Sequence, residues 1–387
     1  MGVDTTALAA QGLDRIRLAG DGGPMERSTP TVPATDHPAP PFGSRGVLSH
    51  RIIAALQRPV EESDVTLAEL ESIVDGALGR TADVLRDDDL QLALFILYGL
   101  HYGHVIESDG EWEWHPTLIA ARRMIERVFE QALRDAVTAP GLPPADSESV
   151  AAALFDLTKP DAGPSLSRFV ARSATRQQVE ELLVQRSIYT LKEADPHSWA
   201  IPRLTGRAKA ALVEIQADEY GGGRPERMHS AIFAATMRAL GLDDRYGVYV
   251  DHVPAITLAS FNMMSMFGLN RRLRGAIAGH LAAFEMTSSV PNRFYGNGFR
   301  RLGFDSQITW YFDEHVEADA VHEQIAGRDL AGALAEDEPS LLPDIMFGAS
   351  ACLAVDGWAG RHMLDAWSAG VSSLRIPLAR RGPAGPR

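Results

Sequence analysis

Apolar residues recur at spacings of three and four through most of this chain, and that period excludes most folds. It is plain in "TLAELESIVDGALGRTADVL" and "LQLALFILYGLHYGHVI", and again in "LIAARRMIERVFEQALRDAV" and "ATRQQVEELLVQRSIYTL". A period near 3.6 puts the apolar side chains on one face of a helix, whereas a half-buried strand needs a period of two. Alternating β-branched runs are scarce. Proline and glycine gather between the apolar runs, in "APGLPPADS", "KPDAGPS" and "ADPHSWAIPRL", where they interrupt helices. No internal repeat at a fixed period is visible. The pattern predicts an all-α fold.

The 387 residues allow one large domain with appendages, or two domains. Residues 1–45 include "DGGPMERSTPTVPATDHPAPPFGSR", which has few large apolar side chains and reads as a disordered tail. Residues 376–387 look similar and are expected to be flexible. The Pro/Gly-rich stretch at 139–164 is the best internal boundary. It separates an N-terminal helical region, 46–163, from a core at 164–375. The net charge of −14 argues against a nucleic-acid surface or an anionic membrane surface, which would need a basic stripe. Cys352 is the sole cysteine, so any metal must be held by His, Asp and Glu. The first residues lack a signal-peptide core, and no apolar run of about 18 residues is evident. A cytoplasmic protein without membrane or nucleic-acid partners is expected.

Several polar residues sit where a helical protein normally buries apolar ones. In "FDSQITWYFDEHVEADAVHEQI", with Asp305 or Ser306 as N-cap, His315, Asp319 and His322 fall at i, i+4 and i+7 on one stripe, and Tyr311 extends it. The stripe either faces water or holds a metal. In "GAIAGHLAAFEMTSS", Glu285 shares a face with Ala278, Leu281 and Ala282; it points outward or is a buried ligand. Glu219 ends the apolar stripe of Ala208, Leu212 and Ile215. His229 heads a strongly apolar face, where a hydrogen-bonded core histidine is the ordinary reading. Glu193, before Asp195-Pro196, reads alone as a surface residue at a frayed end. Together these residues are the ligand inventory of a carboxylate-bridged dinuclear iron or manganese site in a helical bundle. Three glycines, Gly221 to Gly223, separate Glu219 from His229, which would stand about 80° apart on an ideal helix. A local break there would let both reach one centre. Glu226 and His229 also form Glu-x-x-His, but a second such motif on a partner helix is lacking. In the N-terminal region, His101 and His104 form an i, i+3 pair that reads better as an aromatic helix face than as a metal site.

The segments "LKEADPHSWAIPRL", "ALVEIQADEYGGGRPERMH", "FEMTSSVPNRFYGNGFRRLG" and "YFDEHVEADAVHEQI" resemble the haem-oxygenase-like diiron oxidases and oxygenases, an iron-containing redox enzyme family. The resemblance covers about 165 to 370. It implies a haem-oxygenase-like helical bundle that binds no haem, with 46–163 as an accessory or dimerisation region and the protein as a homodimer. It implies Glu193, Glu219, His229, Glu285, His315, Asp319 and His322 as metal ligands, and leaves Glu226 as a supporting or alternative ligand. Two non-haem iron ions would be the cofactor and O2 a co-substrate, with an external electron donor. The substrate would be a small molecule resembling an amino acid or a fatty acid, in specialised metabolism. Tyr311 is the candidate catalytic residue, through a hydrogen bond to a ligand or electron donation; a packing role is the alternative. The competing reading is a metal-independent protein of the same fold that binds or processes an organic cofactor precursor. Haem binding through one histidine would leave the other polar positions without a purpose.

Overall fold

Local chemistry marks where many of the helices begin. Thr66, Asp87, Asp146, Ser165, Thr175 and Asp305 each accept a backbone N–H from the first turn that follows them, which satisfies donors that have no partner inside the helix. The computed structural model describes residues 40–379 except 104, 139, 161 and 162, and describes the backbone alone at 317–320. The expected tail therefore lies outside the described residues up to position 39, as do residues 380–387 of the C-terminal segment.

The N-terminal helices are α1 (Val47–Leu56), α2 (Leu67–Arg80), α3 (Asp88–Tyr102), α4 (Pro116–Ala136) and α5 (Ser147–Leu157). There follow α6 (Leu166–Arg172), α7 (Arg176–Thr190), the single turn α8 (Asp195–Ser198), α9 (Gly206–Glu219), α10 (His229–Ala239), α11 (Ala255–Leu269), α12 (Arg274–Met286) and α13 (Ser289–Arg301). Then α14 (Ser306–Gln324) runs on through a π-helical segment, Ile325–Gly332, into α15 (Ala333–Asp337), and α16 (Leu342–Ser368) closes the bundle. No strand occurs among the described residues, and the fold is the all-α, haem-oxygenase-like class that the apolar period and the motifs predict.

Helices α12 and α16 make the most extensive pairing, and glycine permits it. A Cβ on Gly279 would run into the backbone of Ile345, and one on Gly348 into the backbone of Ala276. This close approach sets the height of α12 and hence of Glu285 near its C-terminal end. Helix α13 packs on α14 and α6, α10 packs on α14, and both α9 and α5 pack on the π-helical segment.

The expected boundary at 139–164 contains α5, which is itself packed against the π-helical segment. Helix α3 is buried from Leu90 to Gly99 along α11. The Asn262 amide of α11 donates to the Gln91 backbone carbonyl and side-chain carbonyl of α3, both at 2.8 Å. Residues 46–163 thus share one hydrophobic core with the later helices. His101 contacts Glu113 (3.1 Å), Arg122 and the ring of Trp114, while His104 lies outside the described residues.

One sequence expectation needs correction. A helical stretch, Pro339–Ser368, is long and apolar enough to span a membrane, with a mean hydropathy of 1.2. Its apolarity serves packing: 61% of its most apolar stretch is buried within the protein, chiefly against α12.

Substituting Gly279 by Leu is expected to destabilise the protein by about 3 kcal/mol or more, because neither helix backbone can yield to the added atoms. Gly357→Ala, where an added Cβ meets nothing within 4 Å, is the control. Chemical denaturation should show it equal to the parent or up to about 1 kcal/mol more stable, from helix propensity.

Candidate metal centre

The polar positions come together at helix ends. Helix α7 stops at Thr190, and Glu193 sits in the turn that follows. Ala194 adopts a left-handed conformation there, with φ of 74°, which a non-glycine residue holds only when its surroundings enforce it. The enforcing contact is Gln216 of α9, whose amide donates to the Ala194 carbonyl (2.8 Å) and to Ser198 Oγ (2.7 Å). Glu193 is therefore 5% exposed, not at a frayed surface end.

Glu219 is the last residue of α9 and His229 the first of α10. Between them Gly221, Gly222 and Gly223 have φ of 68°, 60° and 79°. A Cβ on Gly221 would lie 2.6 Å from the Arg227 carbonyl carbon, so the chain can fold back tightly only with glycine there. The break brings His229 Nδ1 to 2.9 Å from Glu219 Oε2. Glu226 does not join them. The helix starts at His229, so Glu226 is exposed in the 3₁₀ turn before it and the Glu-x-x-His spacing has no helix to act on.

On α14, the Tyr311 hydroxyl donates to Glu193 Oε1 (2.9 Å) and Oε2 (3.1 Å). One turn on, His315 Nδ1 donates to the Tyr311 carbonyl (2.7 Å), which turns Nε2 toward Glu193 Oε1 at 3.4 Å. Two turns further, His322 Nε2 donates to Asp218 Oδ2 (3.1 Å), which turns Nδ1 toward Glu285 Oε2 at 3.5 Å. In both rings the outer nitrogen donates to the protein and the inner one is aimed at the carboxylates, the orientation that metal-binding histidines adopt. Asp319 lies between them on the same helix, but its side chain is outside the described residues.

Glu193, Glu219, His229 and His315 each present a ligand atom, all within 4.8 Å of one another. Glu219, Glu285 and His322 form a second such group. Glu219 belongs to both. Six of the seven positions expected as ligands are thus brought into one site. Tyr189, His197, Gln216, Leu281 and Phe284 complete the narrow pocket around them.

The electrostatics call for a cation. Burial, with Glu193 and Glu285 beside it, pushes the Glu219 carboxyl well above the ordinary carboxylate range. Burial opposes ionisation of Glu193 too, but the charges of His315 and His229 and the bonds from His315 and Tyr311 outweigh it and hold that carboxyl low. His322 is raised to about 9: burial opposes its protonation, and Glu285 and Asp218 prevail. Glu219 and Glu285 stand at the C-terminal ends of α9 and α12, and Glu193 just past the end of α7, where the helix dipole adds further negative potential. Two buried imidazole nitrogens, His229 Nδ1 and His322 Nδ1, make no hydrogen bond although a carboxylate oxygen is close to each. Imidazole nitrogens and carboxylates that face each other across a short gap suit a shared metal ion, which would take the place of a proton between them. Oxygen and imidazole donors with no thiolate suit iron or manganese.

Residues that the sequence did not flag also shape the site. Asp218 carries no apolar context and sits on the exposed side of α9; only its pairing with His322 reveals it. His197 and His280 form a buried pair (3.1 Å) beside the Glu193 turn. Burial lowers His197 to about 3, and burial together with His197 lowers His280 strongly, so both are neutral.

Comparison with known proteins agrees with this geometry. Residues 180–357 match the family model described as iron-containing redox enzyme. The chain is also similar to the nitrosourea synthase of Streptomyces achromogenes subsp. streptozoticus, at 26% identity over 185 residues. That alignment covers 47% of this chain and 39% of the synthase, so the chain matches about two fifths of its relative's length. Every residue of the buried His/Glu cluster lies inside the segment that matches the iron-containing redox enzyme model.

Proposed function

We propose that this protein is a non-haem diiron oxidase or oxygenase that acts with O2 on a small organic molecule. The observation that carries the reading is the sharing of Glu219 between two buried ligand groups, one with Glu193, His229 and His315 and the other with Glu285 and His322. A carboxylate common to two donor sets is what a dinuclear centre requires. In this reading Asp319, on the stripe between His315 and His322, is a further ligand.

Two iron ions held there would supply the electrons for O2 reduction, replenished by an external donor. The chain's own residues do the rest. Tyr311 keeps its proton, since burial and the neighbouring Glu193 raise its hydroxyl far above the ordinary range, and it clamps the Glu193 carboxylate by donating to both oxygens. The Tyr311 carbonyl and Asp218 fix the tautomers of His315 and His322. Phe284, Leu281 and Tyr189 wall the pocket and limit water. The name of the nitrosourea synthase relative points to a nitrogen-bearing small molecule as one candidate substrate.

Anaerobic Fe(II) titration of the metal-stripped protein should give about two ions per chain, and admitting O2 should produce rapid oxygen uptake. His315→Ala and Glu285→Ala should each lose at least one ion and the uptake. Variants that bind iron as the parent does would refute the proposal. Asp218→Ala should weaken affinity for one ion by roughly 10- to 100-fold, by freeing the His322 ring. Glu219→Gln should abolish binding of the pair and yet raise the melting temperature of the metal-free protein, because it removes a carboxylate crowded by two others. A metal-free Glu219→Gln protein that melts lower than the parent would show that the repulsion is absent.

A further inference from the structure

Two tyrosines reach the carboxylate site, and only one of them is spent on it. Tyr311 donates to both oxygens of Glu193. Tyr189 lines the pocket together with Glu193, Glu219, Glu285 and His315. It lies in the last turn of α7, just before the segment that carries Glu193. Several contacts fix its place. The ring meets Phe284 of α12 edge-on, with centroids 5.3 Å apart. Its backbone carbonyl accepts the Lys192 N–H (2.7 Å), which starts the turn that takes Glu193 into the site. Burial, and then the charges of Glu193 and Glu219, raise the Tyr189 hydroxyl well above its usual range, against the Ala194 N–H that approaches the phenol oxygen.

An N–H that approaches the phenol oxygen uses one of its lone pairs and leaves the O–H to be donated. Other tyrosines of this protein show where such a proton ordinarily goes. Tyr98 donates to Glu126 (3.0 Å), Tyr220 to Asp195 (2.8 Å) and Tyr246 to the Ile188 carbonyl (3.1 Å). Among the described residues Tyr189 donates to none, although a tyrosine drawn into the interior usually finds an acceptor. Other polar groups at the pocket are committed. The Gln216 amide holds Ala194 and Ser198, and His197 pairs with His280. The second hydroxyl there, Ser288, accepts from Asn292 at 2.8 Å. A rigid phenol with its O–H unspent, in the wall of a pocket, is set for a molecule that enters that pocket. A donor held in place beforehand costs no reorganisation when its acceptor arrives.

We propose that Tyr189 is the ligand-binding tyrosine of this pocket, and that its hydroxyl donates a hydrogen bond to a small, electron-rich molecule held among Glu193, Glu219 and Glu285. The inference rests on the diiron reading, because three carboxylates repel such a molecule until cations lie between them. The ligand class is a molecule of two or three atoms with lone pairs and negative charge to share. Tyr189 thereby takes the part in catalysis that the sequence offered to Tyr311, whose own proton is held by Glu193.

The test uses the full chain loaded with iron and oxidised in air, with azide as the probe, in the parent, Tyr189→Phe and Ser288→Ala. Azide is a small anion that accepts hydrogen bonds, and its binding is read from visible absorbance and from its infrared stretch. Tyr189→Phe should hold as much iron as the parent and melt alike, yet bind azide roughly 10- to 100-fold more weakly. The azide stretch should shift on transfer to D2O in the parent, and Tyr189→Phe should lose most of that shift. A hydroxyl that only supported the fold would leave the infrared signature unchanged. Equal azide affinity in Tyr189→Phe, loss of iron from that variant, an iron-loaded parent that takes up no azide, or weakening by Ser288→Ala alone would each overturn the proposal. Iron content on the same samples separates the two readings. A parent that holds no iron sinks both, whereas a parent with about two irons and an indifferent Tyr189→Phe sinks this one and leaves the diiron reading standing.

Discussion

Three glutamates that repel one another in a buried pocket are the constraint on which the rest of this structure depends. Glu193, Glu219 and Glu285 are all under 10% exposed and belong to separate segments of the chain. Each also stands at or just past the negative end of a helix. Left alone, such a gathering would push the bundle apart or take up protons. The surroundings answer this in part: Tyr311 donates to Glu193, and His229, His315 and His322 face the carboxylates. A cation bound among them would complete the compensation, and the donor types suit the iron of the family whose model the segment matches.

The same constraint explains where the fold departs from regularity. Helix α7 must stop so that the Glu193 turn can enter the pocket, and Ala194 accepts a left-handed conformation to make the turn. Helix α9 must stop at Glu219, and three glycines carry the chain back to His229. Helix α14 runs straight through His315 and His322, then loosens into a π-helical segment directly beyond. Such wide turns are rare in helices and often lie next to functional sites. The regular parts serve position instead. The glycine-lined crossing of α12 and α16 holds Glu285 at its height, and α3 fills the middle of the core beside α11.

How much of this was legible beforehand varies by residue, and for physical reasons. The 3.6-residue period determined the all-α class, because it depends only on which side chains can be buried on one helix face. His315 and His322 were legible as a stripe, because spacing within one helix fixes their shared direction. Glycine at 221 to 223 announced a break, because few other residues adopt positive φ. Glu193 read as a surface residue, because its burial comes from Gln216, on another helix, reaching across to Ala194. Glu226 stayed open as a supporting or alternative ligand, because sequence spacing cannot tell that the helix begins only at His229. Asp218 was silent, because its role rests on a partner 104 residues away, His322. The boundary expected at 139–164 follows from the same limit: proline and glycine mark where helices end, and only packing decides whether the next helix joins the same core. Sequence alone determined the helices and the inventory of candidate ligands. The tertiary structure decided which carboxylates meet, because convergence of helix ends is a property of packing between elements and not of any one of them.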